Sequence, residues 1–137
     1  MFNIPKGYSP TKIAEMVANK YTIKGYVLDF SLKSLQQEID RILANETTVL
    51  KNKDTLECEL TAYFGETLCR LYEFSWSGTY DRMKTGINYY TCKIVRDGFE
   101  IWPSHFLGYY MNNGKDDVGS FEKYINGLLP KINNKRV

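Results

Sequence analysis

The sequence predicts an α+β domain: N-terminal helices and a long central helix packed on a small antiparallel sheet, with a C-terminal helix. Three observations carry this. Leu56, Leu60, Phe64, Leu68 and Leu71 recur at spacings of four, four, four and three, the period of one helix face. Asp97-Gly98 stands between two runs rich in β-branched and aromatic residues, the signature of a type I′ hairpin. Eleven tyrosines in 137 residues suit half-buried sheet surfaces, where the ring packs while the hydroxyl stays hydrated.

In chain order, Ser9-Pro10 reads as an N-cap followed by proline at the first helical position, where its missing N–H is harmless. Ile13, Met16, Val17 and, next in register, Lys20 give a short amphipathic helix. Gly25 interrupts it, and Tyr26 to Phe30 is an apolar stretch read as extended. Ser31 caps a second helix with the stripe Leu32, Leu35, Ile39, Ile42 and Leu43. Asn45 to Lys53 is polar, a loop or a frayed helix extension. Asp54 and Glu57 fit a capping box for the central helix. Beside that helix's leucine stripe runs a second one of Cys58, Ala62, Gly65 and Cys69, small residues that let a neighbour approach closely. Glycine in a helix interior costs roughly 1 kcal/mol relative to alanine, so Gly65 predicts a neighbour that needs its missing side chain.

After Tyr72 the composition changes. Phe74, Trp76 and the alternating Ser75 and Ser77 predict a strand closed by a Ser77-Gly78 turn. Ile87 to Val95 is the best strand pattern, and Phe99 to Trp102 returns as its hairpin partner until Pro103 ends it. Ser104 to Met111 reads as helical and stops at Asn112-Asn113-Gly114. Ser120 caps a last helix with Phe121, Tyr124, Ile125, Leu128 and Leu129, weakened by Gly127 and ended by Pro130. The basic run from Lys131 to Val137 reads as a frayed tail. No internal repeat or low-complexity block appears, and residues 1–137 fit one domain.

Composition narrows the function classes. Hydrophobic residues make up 43% and charged residues 25%, which argues against disorder. A net charge of +2 is too small to imply a nucleic-acid or membrane partner. No window approaches the ~20 apolar residues of a membrane span, and the N-terminal residues lack a signal-peptide layout. Three cysteines leave at least one unpaired. Cys58 and Cys69 on one helix would lie about 16 Å apart, beyond disulfide reach, so a reduced cytoplasmic protein is the simplest expectation.

The chemistry-bearing residues are few. His105 is the sole histidine, and the three cysteines have no close paired spacing, so no metal site is expected. Cys69 or Cys92 could form a nucleophile pair with His105, but both sit in apolar patterns where thiols behave as small hydrophobes. Gly7, Gly78, Gly86 and Gly98 are isolated, which leaves no phosphate-cradling loop and no implied cofactor. Glu66 lies beside the small-residue groove, with Arg70 four residues on in the favourable ion-pair orientation. The expectation for it is structural, since a lone carboxylate without a second acid or histidine nearby is a poor catalytic signature. Asp29 reads as a capping or turn residue. Trp76 and Trp102 are expected at the core or its edge, and Trp102-Pro103 with His105 could line a cleft. Glu66, Trp76, Trp102 and His105 are therefore the candidate binding residues, with no catalytic set.

The chain also resembles a group of small bacterial domains of unknown function. The likeness rests on Leu28-Asp29-Phe30-Ser31 leading into a helix, then Ser34-Leu35, then Tyr63-Phe64-Gly65-Glu66 inside a helix, and Trp76 shortly after. It extends to Pro103, Asn113-Gly114 and the Ser120-to-Leu129 helix. The resemblance implies an α+β unit and brings no catalytic residues with it. Pro103, Phe106, Leu107 and Asn113-Gly114 are similar to a motif in a superfamily of toxin-immunity proteins, where it follows a different arrangement of helices. The expected function is a non-enzymatic interaction or accessory domain with a protein partner, immunity to a toxin being one version. The alternative is a small ligand-binding protein or hydrolase using Glu66 and His105.

Overall fold

The computed structural model describes residues 9–47, 53–78, 81–83, 86–88 and 92–134, with backbone alone at 53, 54, 81–83, 86–88 and 134. In order these form α1 (Pro10–Ile23), α2 (Leu32–Glu46), α3 (Lys53–Tyr72), β1 (Ser75–Gly78), β2 (Asp81–Met83) and β3 (Gly86–Asn88), then β4 (Cys92–Arg96), β5 (Phe99–Ile101), α4 (Ser104–Asn113), α5 (Lys115–Val118) and α6 (Phe121–Asn134). The architecture is α+β, as the hydrophobic spacing predicts.

The core is built around α3. Leu56, Leu60, Phe64 and Leu68 are fully buried, and so are Ala62 and Tyr63 on other faces of the same helix. A helix buried on most of its circumference is a central helix, covered here from several sides. One cover is α1, through Ile13, Ala14, Val17 and Tyr21. Leu35, Ile39, Ile42 and Leu43 of α2 add to the same core, as do Phe121, Ile125 and Ile132 of α6. Phe64 meets Phe121 edge to face, with ring centroids 5.0 Å apart, a favoured aromatic geometry.

The sheet has the order β1-β4-β5, all antiparallel, with Trp76, Ile94 and Ile101 in one cross-strand row. The Asp97-Gly98 hairpin is as expected. Arg96 pairs with Phe99 across a two-residue loop whose residues both have positive φ, +48° and +83°, as a type I′ turn requires. The caps at Ser9 and Ser31 are also present, each serine Oγ accepting a backbone N–H three residues on. Ser120 does the same for α6.

Several expectations fail for identifiable reasons. Tyr26 to Phe30 forms no strand; the chain turns, and Phe30 adopts φ +62°. Pro130 does not end α6, which continues to Asn134. Burial of Ile132 and a hydrogen bond from the Arg96 guanidinium to the Ile132 carbonyl at 2.7 Å hold the turn beyond the proline. Trp102 lies past the end of β5. Residues 87–95 do not pair as one strand: β3 pairs with β2, which the sequence reading lacked, while β4 pairs with β1 and β5. Ser77 and Gly78 form no turn but pair with Lys93 and Cys92 as the end of β1, Asp54 lies inside α3 because that helix already begins at Lys53, and residues 131–134 continue α6 instead of fraying. The continuity of the 87–95 run through 89–91 and residues 135–137 lie outside the described residues.

Candidate functional site

Gly65 explains the contact between α3 and the sheet. A Cβ on it would stand 2.2 Å from Trp76 Cη2, 2.5 Å from Cζ2 and 3.1 Å from Pro103 Cγ. Only a hydrogen fits there. The six-membered ring of the β1 indole approaches the helix at this point, and the proline before α4 lies close to the same position. The close neighbour that the sequence requires is thus Trp76 together with Pro103.

Glu66 anchors the same junction. Its residue is 5% exposed, and both carboxylate oxygens are engaged. Oε1 accepts from Trp76 Nε1 at 3.1 Å and from Thr11 Oγ1 at 2.7 Å, while Oε2 accepts from Arg70 Nε at 3.0 Å. One carboxylate therefore ties α1, α3 and β1 together, and charge-assisted bonds of this kind are the strong ones. Arg70 continues the chain of contacts. Its guanidinium stacks on Phe30 at 3.7 Å from the ring centroid and reaches Glu15 at 3.5 Å.

Phe30 brings the two resemblance motifs into one network. Its N–H donates to the Tyr63 hydroxyl at 2.8 Å, and that hydroxyl lies 2.6 Å from Ser34 Oγ. Asp29 Oδ1 accepts from the N–H and the hydroxyl of Ser31, a turn that presents Phe30. A left-handed conformation for a bulky residue costs about 1–2 kcal/mol. Here the bond to Tyr63, the Arg70 stack and ring contact with Tyr63 at 5.0 Å offset it. Leu-Asp-Phe-Ser, Ser-Leu, Tyr-Phe-Gly-Glu and Trp76 are thus the parts of one structural clasp.

The remaining candidates lie elsewhere. Trp102 is 42% exposed, and His105 is exposed one turn further on; with Ser104, Gly108 and Asn112 they line an open depression of about 340 Å³ along α4. Trp102 and His105 share this depression, but Pro103 is buried against Gly65 and does not line it. Glu66 and Trp76 are joined to each other. None of the described contacts of Glu66 is to His105, so the pair required for a hydrolase is not brought together by these contacts. Tyr109, 58% exposed, extends the face of α4 and was not singled out from sequence. Within α4 the exposed His105, Tyr109 and Asn112 recur at helical spacing, a signal present in the sequence.

Two further groups bear on chemistry. Burial, and then the charge of Glu66, push the Cys69 thiol up to about 12, which keeps it protonated and unreactive at neutral pH. All three cysteines are free thiols. Among the described residues no group of three His, Cys, Asp or Glu side chains could hold a metal ion, and no helix is long and apolar enough to cross a membrane. Comparison of the chain with protein-family models, with curated proteins and with solved structures finds no match.

Proposed function

We propose that this chain is a non-enzymatic interaction domain that recognises a protein partner through the outer face of α4. The observation that carries the reading is the composition of that face. Trp102, just before α4, and His105, Tyr109 and Asn112 within it are all exposed, and the helix Ser104–Asn113 has no Asp, Glu, Lys or Arg in it. Exposed aromatics on a surface depleted of charge are the signature of an interface centre. Glu66, the strongest catalytic candidate in the sequence, supports the same reading by default. Its oxygens are committed to holding the fold.

The size of the face sets the kind of association. Trp102 and Tyr109 are each about half exposed, which leaves roughly 200 Å² of aromatic surface between them. A stable complex buries about 800 Å² on each partner. The aromatic pair is therefore the anchor of a weak or transient contact. Immunity to a toxin would be one form of it, and an adjacent toxin gene would favour that form.

The test is a photo-crosslinking amino acid placed at Tyr109 in cells of the source organism, with Ile23, 87% exposed at the far end of α1, as the control position. A discrete adduct at 109 that disappears with Trp102→Ala supports the reading. Adducts at 23 alone, or an adduct at 109 indifferent to Trp102, reject this face.

A further inference from the structure

We propose that α1 is an acid-released strap: at neutral pH the carboxylates of Glu59 and Glu46 latch its C-terminal half to α3 and α2, and protonating them undocks α1 while α2, α3 and α6 stay packed on one another. It is independent of the reading of α4.

The latch consists of two matched triads. Lys20 Nζ donates to Glu59 Oε2 at 2.6 Å, and the Tyr21 hydroxyl donates to Oε1 at 2.7 Å. Lys24 Nζ donates to Glu46 Oε1 at 2.7 Å, and the Tyr26 hydroxyl donates to Oε2 at 3.1 Å. Glu59 belongs to α3 and Glu46 is the last residue of α2; both are buried. The triads adjoin. The Tyr21 and Tyr26 rings meet edge to face at 6.0 Å, and the Lys20 and Lys24 ammoniums stand 5.3 Å and 5.5 Å from the centroid of the same Tyr21 ring. Arg41 lies over Tyr26 at 4.7 Å and is paired with Glu38. Among the described side chains of this cluster the charges balance, Lys20, Lys24 and Arg41 against Glu38, Glu46 and Glu59.

Acid removes that balance. With Glu46 and Glu59 neutral, two ammoniums remain around one ring, and taking the charge off one partner of a buried pair is strongly destabilising. Burial, with the charges of Glu59 and Glu46, pushes the Tyr21 hydroxyl up, so it stays a donor throughout and the carboxylates are the groups that change. The Glu46 carboxyl is held below its ordinary value by Lys24, against burial and with help from Tyr26. Its folded value being the lower one, the latch is intact above the unfolded range near pH 4.3 and opens as pH falls through the folded value. The other end of α1 is also fastened through carboxylates, since Thr11 donates to Glu66 and Glu15 meets Arg70.

The elements left behind are joined by groups that acid does not touch. The Arg96 guanidinium donates to the Tyr72 carbonyl of α3 and to the Ile132 carbonyl of α6, both at 2.7 Å. Phe64 of α3 packs on Phe121 of α6, and Phe106 of α4 packs on Phe121 and Tyr124. Acid weakens the Asp40 cap of α6 but leaves this clamp and these rings. The strap, for its part, is closed at both ends by its own residues. Ser9 caps its start, and at its end the Gly25 N–H donates to the Thr22 carbonyl and the Tyr26 N–H to the Tyr21 carbonyl, both at 3.0 Å, a Schellman motif with Gly25 at φ +100°.

The experiment is hydrogen exchange of the full chain in steps from pH 6.5 to pH 3.5, read by mass spectrometry and corrected for the intrinsic pH dependence of exchange. Protection over 13–23 is expected to fall about tenfold more than protection over 56–68, with the loss setting in below about pH 4.3. The double variant Glu46→Gln with Glu59→Gln should show the lowered protection of 13–23 already at pH 6.5. Glu15→Gln, which removes an exposed carboxylate of the same helix, should follow the parent. Equal loss over 13–23 and 56–68 in the parent means that acid unfolds the whole core at once, and this overturns the proposal. So does protection of 13–23 that holds to pH 3.5, or a folded double variant whose α1 is as protected as the parent's at pH 6.5. The parent's profile decides by itself if the double variant does not fold.

Discussion

Replacing Gly65 by alanine should destabilise the protein, although it removes a glycine from a helix interior. Helix propensity alone favours alanine by roughly 1 kcal/mol. Against this, the new methyl would stand 2.2 Å and 2.5 Å from the Trp76 indole, so the ring must retreat by more than 1 Å. The neighbours offer it no easy way out, since Pro103 Cγ is itself 3.1 Å from the methyl position and the indole N–H is bonded to Glu66 at 3.1 Å. Overpacking of this kind costs about 1–3 kcal/mol, and losing a hydrogen bond to a charged group a further 1.5–3 kcal/mol. The net expectation is a loss of about 2–4 kcal/mol, or a fall in Tm on the order of 10 °C for a chain of this length. Urea and thermal unfolding followed by far-UV circular dichroism would measure it, with Trp76→Leu and the double variant completing a cycle. In the Trp76→Leu background the alanine should be close to neutral or stabilising. A Gly65→Ala protein as stable as the parent, or a penalty that persists without the indole, would refute the close-approach argument.

Three more outcomes follow from buried groups. Glu59 is fully buried, with Lys20 Nζ at 2.6 Å and the Tyr21 hydroxyl at 2.7 Å, so Glu59→Gln should lower stability by about 1–3 kcal/mol in urea unfolding; an unchanged midpoint counts against an anchoring role between α1 and α3. The Lys24 ammonium, helped by the Tyr26 hydroxyl and opposed by burial, holds the Glu46 carboxyl below its ordinary value. Because the folded value is the lower one, that stabilisation is present above the unfolded carboxylate range near pH 4.3 and is lost as pH falls through the folded value. Glu46→Gln should therefore melt below the parent at pH 7 and converge with it in acid; a constant gap across pH contradicts the linkage. Native Cys69 should resist iodoacetamide at pH 8 and react only on unfolding, as peptide mapping by mass spectrometry would show; labelling at the rate of a free thiol rejects the burial argument.

The α+β class, five of the helices, the caps at Ser9, Ser31 and Ser120, and the Asp97-Gly98 turn were all legible in the sequence. Each is dictated by residues within a few positions of one another: a periodic stripe, a hydroxyl three residues before an N–H, a glycine where φ must be positive. Gly65 was legible in part, since a glycine at a helix interior announces a close neighbour without naming it. Only the folded chain shows that the neighbour is Trp76, that Pro103 joins it, and that Glu66 draws in Thr11 from 55 residues away. Long-range partners leave no local trace. Asp40 of α2 accepts the first N–H groups of α6, at 2.7 Å and 3.0 Å, from 81 and 82 residues away, and nothing near either sequence position points to it. Pro130 failed in the same way, because local rules end a helix at proline, whereas a buried Ile132 and the reach of Arg96 continue it. Local chemistry thus determined which elements form. Tertiary packing decided that the motif residues serve as a clasp, and that the aromatic surface left outside faces solvent from α4.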